Sequence, residues 1–334
     1  MVRRVKAFVC RVCGNPLYLE NSVCMSCGTA LGYSRGEREI VPVDSRGRYV
    51  DAAGLVWWVC TNLTLNGCTW LARLEGGQCD SCELTRTRPH DADLEGLALY
   101  QETERAKRHL VVELDLRGIS YVSRADDPET GLCFDLLSSR GEDVTIGHAN
   151  GVITIDLAES NDAYREKMRI QLGEPYRTML GHLRHEVGHY MEALHVQGER
   201  LERARALFGD DTLSYQDEID RHYADGPPAG WEAAYISEYA TMHPYEDFAE
   251  CFAHFLHISD TVETAWVHLF LDHGTDLTVP FRQLVVGVWI PLAIGLNQID
   301  RSMGRDDLYP FVIPAPVLDK LAFVAHLATP VAAL

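Results

Sequence analysis

The sequence predicts an α+β chain: small cysteine-organised β modules at the N-terminus, then a mainly helical domain with a small β-sheet. Three observations carry this. Eight of the ten cysteines fall in the first 82 residues, mostly in close pairs. Short apolar runs between residues 110 and 155 flank an Asn-Gly dipeptide, a signal for a two-residue hairpin. Beyond those runs, apolar residues recur at three- and four-residue spacing, the period of a helix.

At 334 residues the chain can bury a sizeable core and form two or three domains. Its net charge of −19 is uneven: residues 1–90 hold 11 Lys/Arg and 8 Asp/Glu, formally +3, which leaves −22 for the rest. So acidic a body repels a nucleic-acid backbone. No segment is expected to cross a membrane, because the most apolar run, 284–296, is short and contains Pro291. The first eight residues are basic but lack a long apolar stretch and a cleavage site. A cytoplasmic location is expected, and in a reducing compartment clustered cysteines are metal ligands rather than disulfides.

Cys10-x-x-Cys13-Gly14 and Cys24-x-x-Cys27-Gly28 are two tight turns separated by ten residues. Each lets two thiolates grip one ion, so together they complete a tetrahedral four-cysteine zinc site, a zinc ribbon over residues 1–50. Cys60, Cys68, Cys79 and Cys82 make a second four-cysteine set over residues 51–90. Its first half is irregular, with seven residues between the cysteines; the alternative is that Cys60 and Cys68 are core thiols near Trp57, Trp58 and Trp70. Cys133 and Cys251 read as buried packing residues. Both cysteine regions are too small to fold by burial alone, so zinc is expected to supply folding free energy. Each four-thiolate zinc centre carries −2, which would move residues 1–90 from +3 to about −1 and further disfavours nucleic-acid binding.

Residues 85–90 read as a linker to a third region, 91–334. Asp91 or Asp93 is placed to cap a helix reaching about Leu110. Residues 110–116, 120–123, 132–137, 144–148 and 152–155 read as strands, the last two joined at Asn150-Gly151. Later helices are expected over 175–194, with Pro175 in the first turn, from Pro244 onward, over 280–303 as a long and mostly buried element, and over 316–327.

The chemistry resides in His185-Glu186-Val187-Gly188-His189. On a helix, positions i and i+4 share a face, so both imidazoles reach one zinc while Glu186 faces its open side. A hydrolytic zinc needs a third protein ligand and a free position for water. The donor region is His243-Pro244-Tyr245-Glu246-Asp247-Phe248-Ala249-Glu250, followed by His254 and His257 on the same stripe as Glu246 and Glu250. Glu246, Asp247, Glu250 and His243 are all candidates.

With these residues the sequence resembles the bacterial zinc-binding metallopeptidase family that carries an N-terminal zinc ribbon. The resemblance rests on the CxxCG turns, on Gly173-Glu174-Pro175-Tyr176-Arg177-Thr178, on Gly181-His182 with Arg184-His185-Glu186-Val187-Gly188-His189-Tyr190, on Phe208-Gly209-Asp210, on Ile236-Ser237-Glu238-Tyr239-Ala240, and on residues 243–250 with 253–258. The core also looks like that of gluzincins such as anthrax lethal factor. The resemblance implies a zincin-like metallopeptidase domain with Glu246 as third zinc ligand. Glu250 and Asp247 would stand behind the ligands, and Tyr239 would supply a hydroxyl to the transition state. It implies three zinc ions, one catalytic and two structural, and a polypeptide or protein substrate. Glu186 would act as general base. The ribbons would recognise a protein partner or gate the cleft, and the edge of the Asn150-Gly151 hairpin would pair with an extended substrate. The alternatives are a catalytically silent zinc-stabilised scaffold, a ribbon-based nucleic-acid binder, and a zinc amide hydrolase acting on a small molecule.

Overall fold

In a computed structural model, residues 7–139, 144–161, 178–268, 270–272 and 274–328 are described. The chain forms two compact units. One comprises Met1–Leu116 with Tyr121–Asn161, and the other Arg117–Ser120 with Asp162–Leu334.

The first unit begins with short antiparallel pairs: β1 (Phe8–Val9) with β2 (Pro16–Leu17), and β3 (Leu31–Ser34) with β4 (Glu39–Pro42). A three-stranded sheet follows, with β5 (Arg48–Val50), β6 (Val56–Val59) and β7 (Leu71–Ala72) in that order. Tyr33 and Trp70 pack at 4.8 Å between ring centroids to form a small core. One-turn helices α1 (Leu63–Asn66) and α2 (Asp80–Glu83) lead to β8 (Thr85–Thr87) and to the long helix α3 (Leu94–Arg117). Asp93 Oδ1 accepts from Gly96 N–H at the start of α3, one of the two caps expected.

Three expectations change here. Residues 85–87 form strand β8 rather than linker. Residues 110–116 belong to α3, not to a strand; Leu110, Val111, Val112, Leu114 and Leu116 are all buried, so no one-sided helical stripe marks them. Residues 120–123 contribute only the isolated bridge Ser123–Leu132. Runs 132–137 and 152–155 appear as β9 (Cys133–Leu137) and β11 (Val152–Asp156), whereas 144–148 is strand only at its end, β10 (Gly147–Ala149); the sheet order is β10-β11-β9-β8. Asn150 and Gly151 both have positive φ, 48° and 80°, as the tight β10–β11 loop requires. β10 is an edge strand.

The second unit is helical: α4 (Met179–His195), α5 (Glu199–Phe208), α6 (Tyr215–Asp225), α7 (Pro244–Val267), α8 (Phe281–Leu284), a π-helical stretch (Val285–Trp289), α9 (Ile290–Ser302) and α10 (Ala315–Ala328). The motif helix starts at Met179, because Thr178 is extended and its hydroxyl caps Gly181 N–H. Pro175 lies outside the described residues, as do residues 173–174 and 176–177. α4 packs closely on α7 at Gly188, where an added Cβ would lie 3.0 Å from Ala249 Cα and 3.1 Å from Phe252 Cβ.

The rod from Phe281 to Ser302 is not mostly buried. Leu284, Val285, Trp289 and Ala293 turn inward, while Val286, Ile294 and Ile299 are at least half exposed. By length and composition it is also long and apolar enough to cross a membrane, contrary to the sequence-based expectation that no segment is. The 284–296 run falls short alone, but helical neighbours extend it to 22 residues.

Candidate metal centres

The two cysteine sets each converge. In the first, Cys10 and Cys27 Sγ lie 3.7 Å apart and Cys13 and Cys24 Sγ 3.6 Å apart. In the second, Cys60–Cys82 is 3.7 Å and Cys68–Cys79 is 3.5 Å. A tetrahedron with zinc–sulfur bonds of about 2.3 Å has an edge of roughly 3.8 Å, whereas a disulfide is about 2.05 Å. Both sets therefore have the dimensions of four-thiolate zinc sites. Gly14 and Gly28 are left-handed, with φ of 75° and 73°, and each N–H returns to the carbonyl of the first cysteine of its turn. The irregular spacing from Cys60 to Cys68 is taken up by α1 and the left-handed Gly67 that ends it, so these two are not independent core thiols.

The two sites differ in surroundings. Cys13 and Cys27 are exposed, whereas all four cysteines of the second set are buried. Asn66 Nδ2 lies 3.9 Å from Cys82 Sγ and 3.3 Å from Glu104 Oε2. Glu104 in turn pairs with Lys107 at 2.6 Å. A wholly buried polar cluster thus ties the second cysteine set to α3.

In the second unit α4 and α7 bring His185, His189 and Glu246 together, with one donor atom of each within 4.8 Å of the others. Glu246 Oε2 is 2.9 Å from His185 Nε2 and 3.5 Å from His189 Nε2. Zinc bonds of about 2.0–2.1 Å to nitrogen and oxygen give tetrahedral edges of roughly 3.3–3.4 Å, so this set also fits a metal ion. Two nitrogens and one oxygen leave one tetrahedral position for a non-protein ligand, unlike the closed cysteine sites.

The charged groups at this point support one another. Burial alone would raise the Glu246 carboxyl, but the charges of His189 and His185 and their hydrogen bonds pull it well below its ordinary value. Burial works against a charged His185, yet Glu246 and Glu250 on either side of the ring raise its proton affinity well above normal. His185 and the carboxylates beside it thus hold one another in their charged forms.

Behind the ligands, Glu250 Oε1 lies 2.9 Å from His185 Nδ1, and Ser237 Oγ donates to Glu250 Oε2 at 2.7 Å. Glu186 Oε1 is 3.1 Å from His182 Nε2, one turn earlier on α4. Its Oε2 is buried with no hydrogen-bond partner among the described residues. Burial pushes the Glu186 carboxyl up, but His182 and the two motif histidines more than reverse this, so it stays ionised. The Tyr239 ring is 5.8 Å from that of His185, in a short 3₁₀ segment, Tyr239–Thr241.

Other expected participants lie elsewhere. Asp247 follows Glu246 by 100° around the helix and so faces away from the histidines. Its Oδ2 meets Lys320 Nζ of α10 at 2.5 Å, and burial pushes its carboxyl up to about 7 despite that partner. It supports the packing of α7 on α10, not the metal ligands. His243 is the N-cap of α7, accepting from Tyr245 N–H. His254 and His257 turn to Tyr309: His254 Nδ1 is 2.8 Å from its hydroxyl, and the His257 ring stacks on it at 5.3 Å.

The sequence reading did not single out Tyr215, Tyr245 or His182 for a role. Tyr215 donates its hydroxyl to Glu246 Oε1 at 2.6 Å, and Tyr245 stacks on His189 at 3.8 Å. His182 and Glu186 are four apart on one helix, a local signal that was available; Tyr215 had none.

A family model described as "Putative zinc-binding metallo-peptidase" matches residues 96–327. The chain belongs to this family. A zinc-ribbon domain model matches residues 7–93. Uncharacterized proteins of Mycobacterium tuberculosis and Mycobacterium bovis are each 46% identical over 329 residues, covering 96% of this chain and 94% of theirs. No solved structure matches. Membership in a zinc-binding family supports zinc as the metal, and a peptidase family implies peptide or protein substrates.

Proposed function

We propose that the chain is a zinc-dependent peptidase that hydrolyses peptide bonds in polypeptides, with His185, His189 and Glu246 as ligands of the catalytic zinc and the two cysteine sets as ligands of two structural zinc ions. One observation carries the catalytic part. Glu186, beside the first ligand, has one oxygen held by His182 and the other buried and unpartnered among the described residues. An ionised carboxylate so placed is a proton acceptor.

When bound in a three-ligand site, zinc lowers the pKa of a water and polarises a carbonyl. Glu186 takes the proton from the attacking water through Oε2, while His182 fixes the carboxylate through Oε1. Glu186 then passes the proton to the leaving amine, so the carboxylate is restored at the end of the cycle. Tyr239 donates its hydroxyl to the developing oxyanion. Glu250, anchored by Ser237, keeps the His185 ring oriented with Nε2 toward the ligand position. The two closed cysteine centres hold the N-terminal unit together and take no part in hydrolysis.

The test is Glu186→Gln in the full chain. It is expected to keep three zinc ions per molecule and to lose peptide cleavage. Cleavage of a peptide library at the wild-type rate would refute Glu186 as the base.

A further inference from the structure

Tyr215 is the first residue of α6, whose N-cap Ser214 accepts from Asp217 N–H. Its hydroxyl is 2.6 Å from Glu246 Oε1, the oxygen that does not meet the histidines. The ring is fixed edge-on by His243 at 5.4 Å and by Tyr245 at 6.2 Å. His243 caps the helix that carries Glu246, and its Nε2 is 3.3 Å from the carbonyl of Leu213, two residues before Tyr215. The Tyr215 hydroxyl and the Glu246 carboxylate are therefore placed by the same junction between α6 and α7.

We propose that Tyr215 is a positioning residue of the metal centre: by holding Glu246 Oε1, it confines that carboxylate to ligation through Oε2 alone and so keeps the fourth coordination position open for water. This rests on the reading of His185, His189 and Glu246 as the catalytic zinc ligands. A carboxylate can bind a divalent ion through one oxygen or both. With both oxygens free beside a cation, two-oxygen ligation fills the place that hydrolysis needs for water. A phenol hydrogen-bonded to one oxygen removes that choice and gives Glu246 an outer partner, as Glu250 does for His185. Tyr245, stacked on His189, holds the remaining ligand by packing rather than by a hydrogen bond.

The experiment uses the full chain with zinc in the cysteine sites and one cobalt(II) in the His/Glu site, verified as one cobalt and two zinc per molecule. Visible absorption of cobalt(II) weakens as its coordination number rises from four. Tyr215→Phe is expected to weaken cobalt absorption and to loosen zinc binding at this site by roughly 10–100-fold, read by chelator competition. Tyr223→Phe, an exposed tyrosine on the same helix, is expected to change neither. Tyr215→Leu removes ring and hydroxyl together and is expected to weaken binding at least as much. If Y215F matches wild type in both affinity and spectrum, or if only Y215L departs from it, the hydroxyl has no positioning role and the proposal is overturned. Glu246→Ala separates this from the underlying reading: if E246A keeps the third metal, the ligand set itself is wrong.

Discussion

Glu250 Oε1 lies 2.9 Å from Nδ1 of His185, at the ring nitrogen opposite the one that meets Glu246. The imidazole is thus held from both edges by carboxylates of one helix, one turn apart. Glu250→Ala removes the outer hold and leaves the ligand free to rotate. Zinc affinity at this site is expected to fall by roughly 10–100-fold, with the cysteine-bound zinc unaffected. Metal content after graded chelator treatment, counted per molecule, checks this.

The approach of α4 to α7 depends on the absence of a side chain at Gly188. An alanine Cβ there would sit 3.0 Å from Ala249 Cα, a backbone atom that cannot rotate away. Gly188→Ala is therefore expected to force the two helices apart and cost about 1–3 kcal/mol. Because His189 and Glu246 lie on opposite sides of that contact, metal affinity is expected to fall as well. Denaturant unfolding and metal competition on the same variant measure both effects.

Local features were legible in the sequence, and relationships across long separations were not. The turns Cys10-x-x-Cys13-Gly14 and Cys24-x-x-Cys27-Gly28 declare their geometry within five residues, and His185 and His189 within one helical turn. Glu246 is 57 residues beyond His189, and only a family resemblance singled it out among its acidic neighbours. The contact of Tyr215 with Glu246 spans 31 residues and a helix start, and no spacing rule encodes it. Leu110 to Leu116 misled because its β-branched and alternating residues fit a strand locally; the helix capped at Asp93 runs on through them, and tertiary burial overrides local propensity.

Asp247 and Lys320 form a buried pair, with exposures of 0% and 5% for their side chains. Lys320→Ala strands a carboxylate between α7 and α10. About 3 kcal/mol of stability is expected to be lost, within the range found when one partner of a buried pair is removed. Adding Asp247→Leu to Lys320→Met is expected to recover most of it, since a well-packed apolar pair replaces the charges. Unfolding midpoints of the single and double variants decide the matter.

The two cysteine sites are expected to differ in lability. Cys13 and Cys27 face solvent, while Cys60, Cys68, Cys79 and Cys82 are each at most 1% exposed. A chelator should strip the first site before the second, so zinc release from the cysteine sites resolves into two phases. Cys68→Ser should unfold the region around α1 and α3, to which Asn66 and Glu104 tie the second site. Cys13→Ser should remove only the fast phase and leave the remaining structure folded, as read by circular dichroism.

His254 is buried against Tyr309, and its proton affinity is depressed from 6.5 to about 4 by burial, with Arg184 and His185 adding to the effect against Glu250. His257, one turn on, is likewise held well below 6.5 by burial and by Arg184 and His254. Above pH 6.5 both rings are neutral in folded and unfolded chains, and the stability they contribute is fully present. As pH falls through 6.5, the unfolded chain takes up protons that the folded one refuses. Stability is then lost at about 1.4 kcal/mol per pH unit for His254 alone, until pH approaches 4. His254→Gln keeps a polar partner for Tyr309 but cannot titrate. Its stability between pH 6.5 and 4 should therefore fall less steeply than that of the wild type, by one proton in the slope. Parallel slopes for the two proteins, measured by denaturant unfolding across that window, would show that the buried imidazole does not govern acid lability.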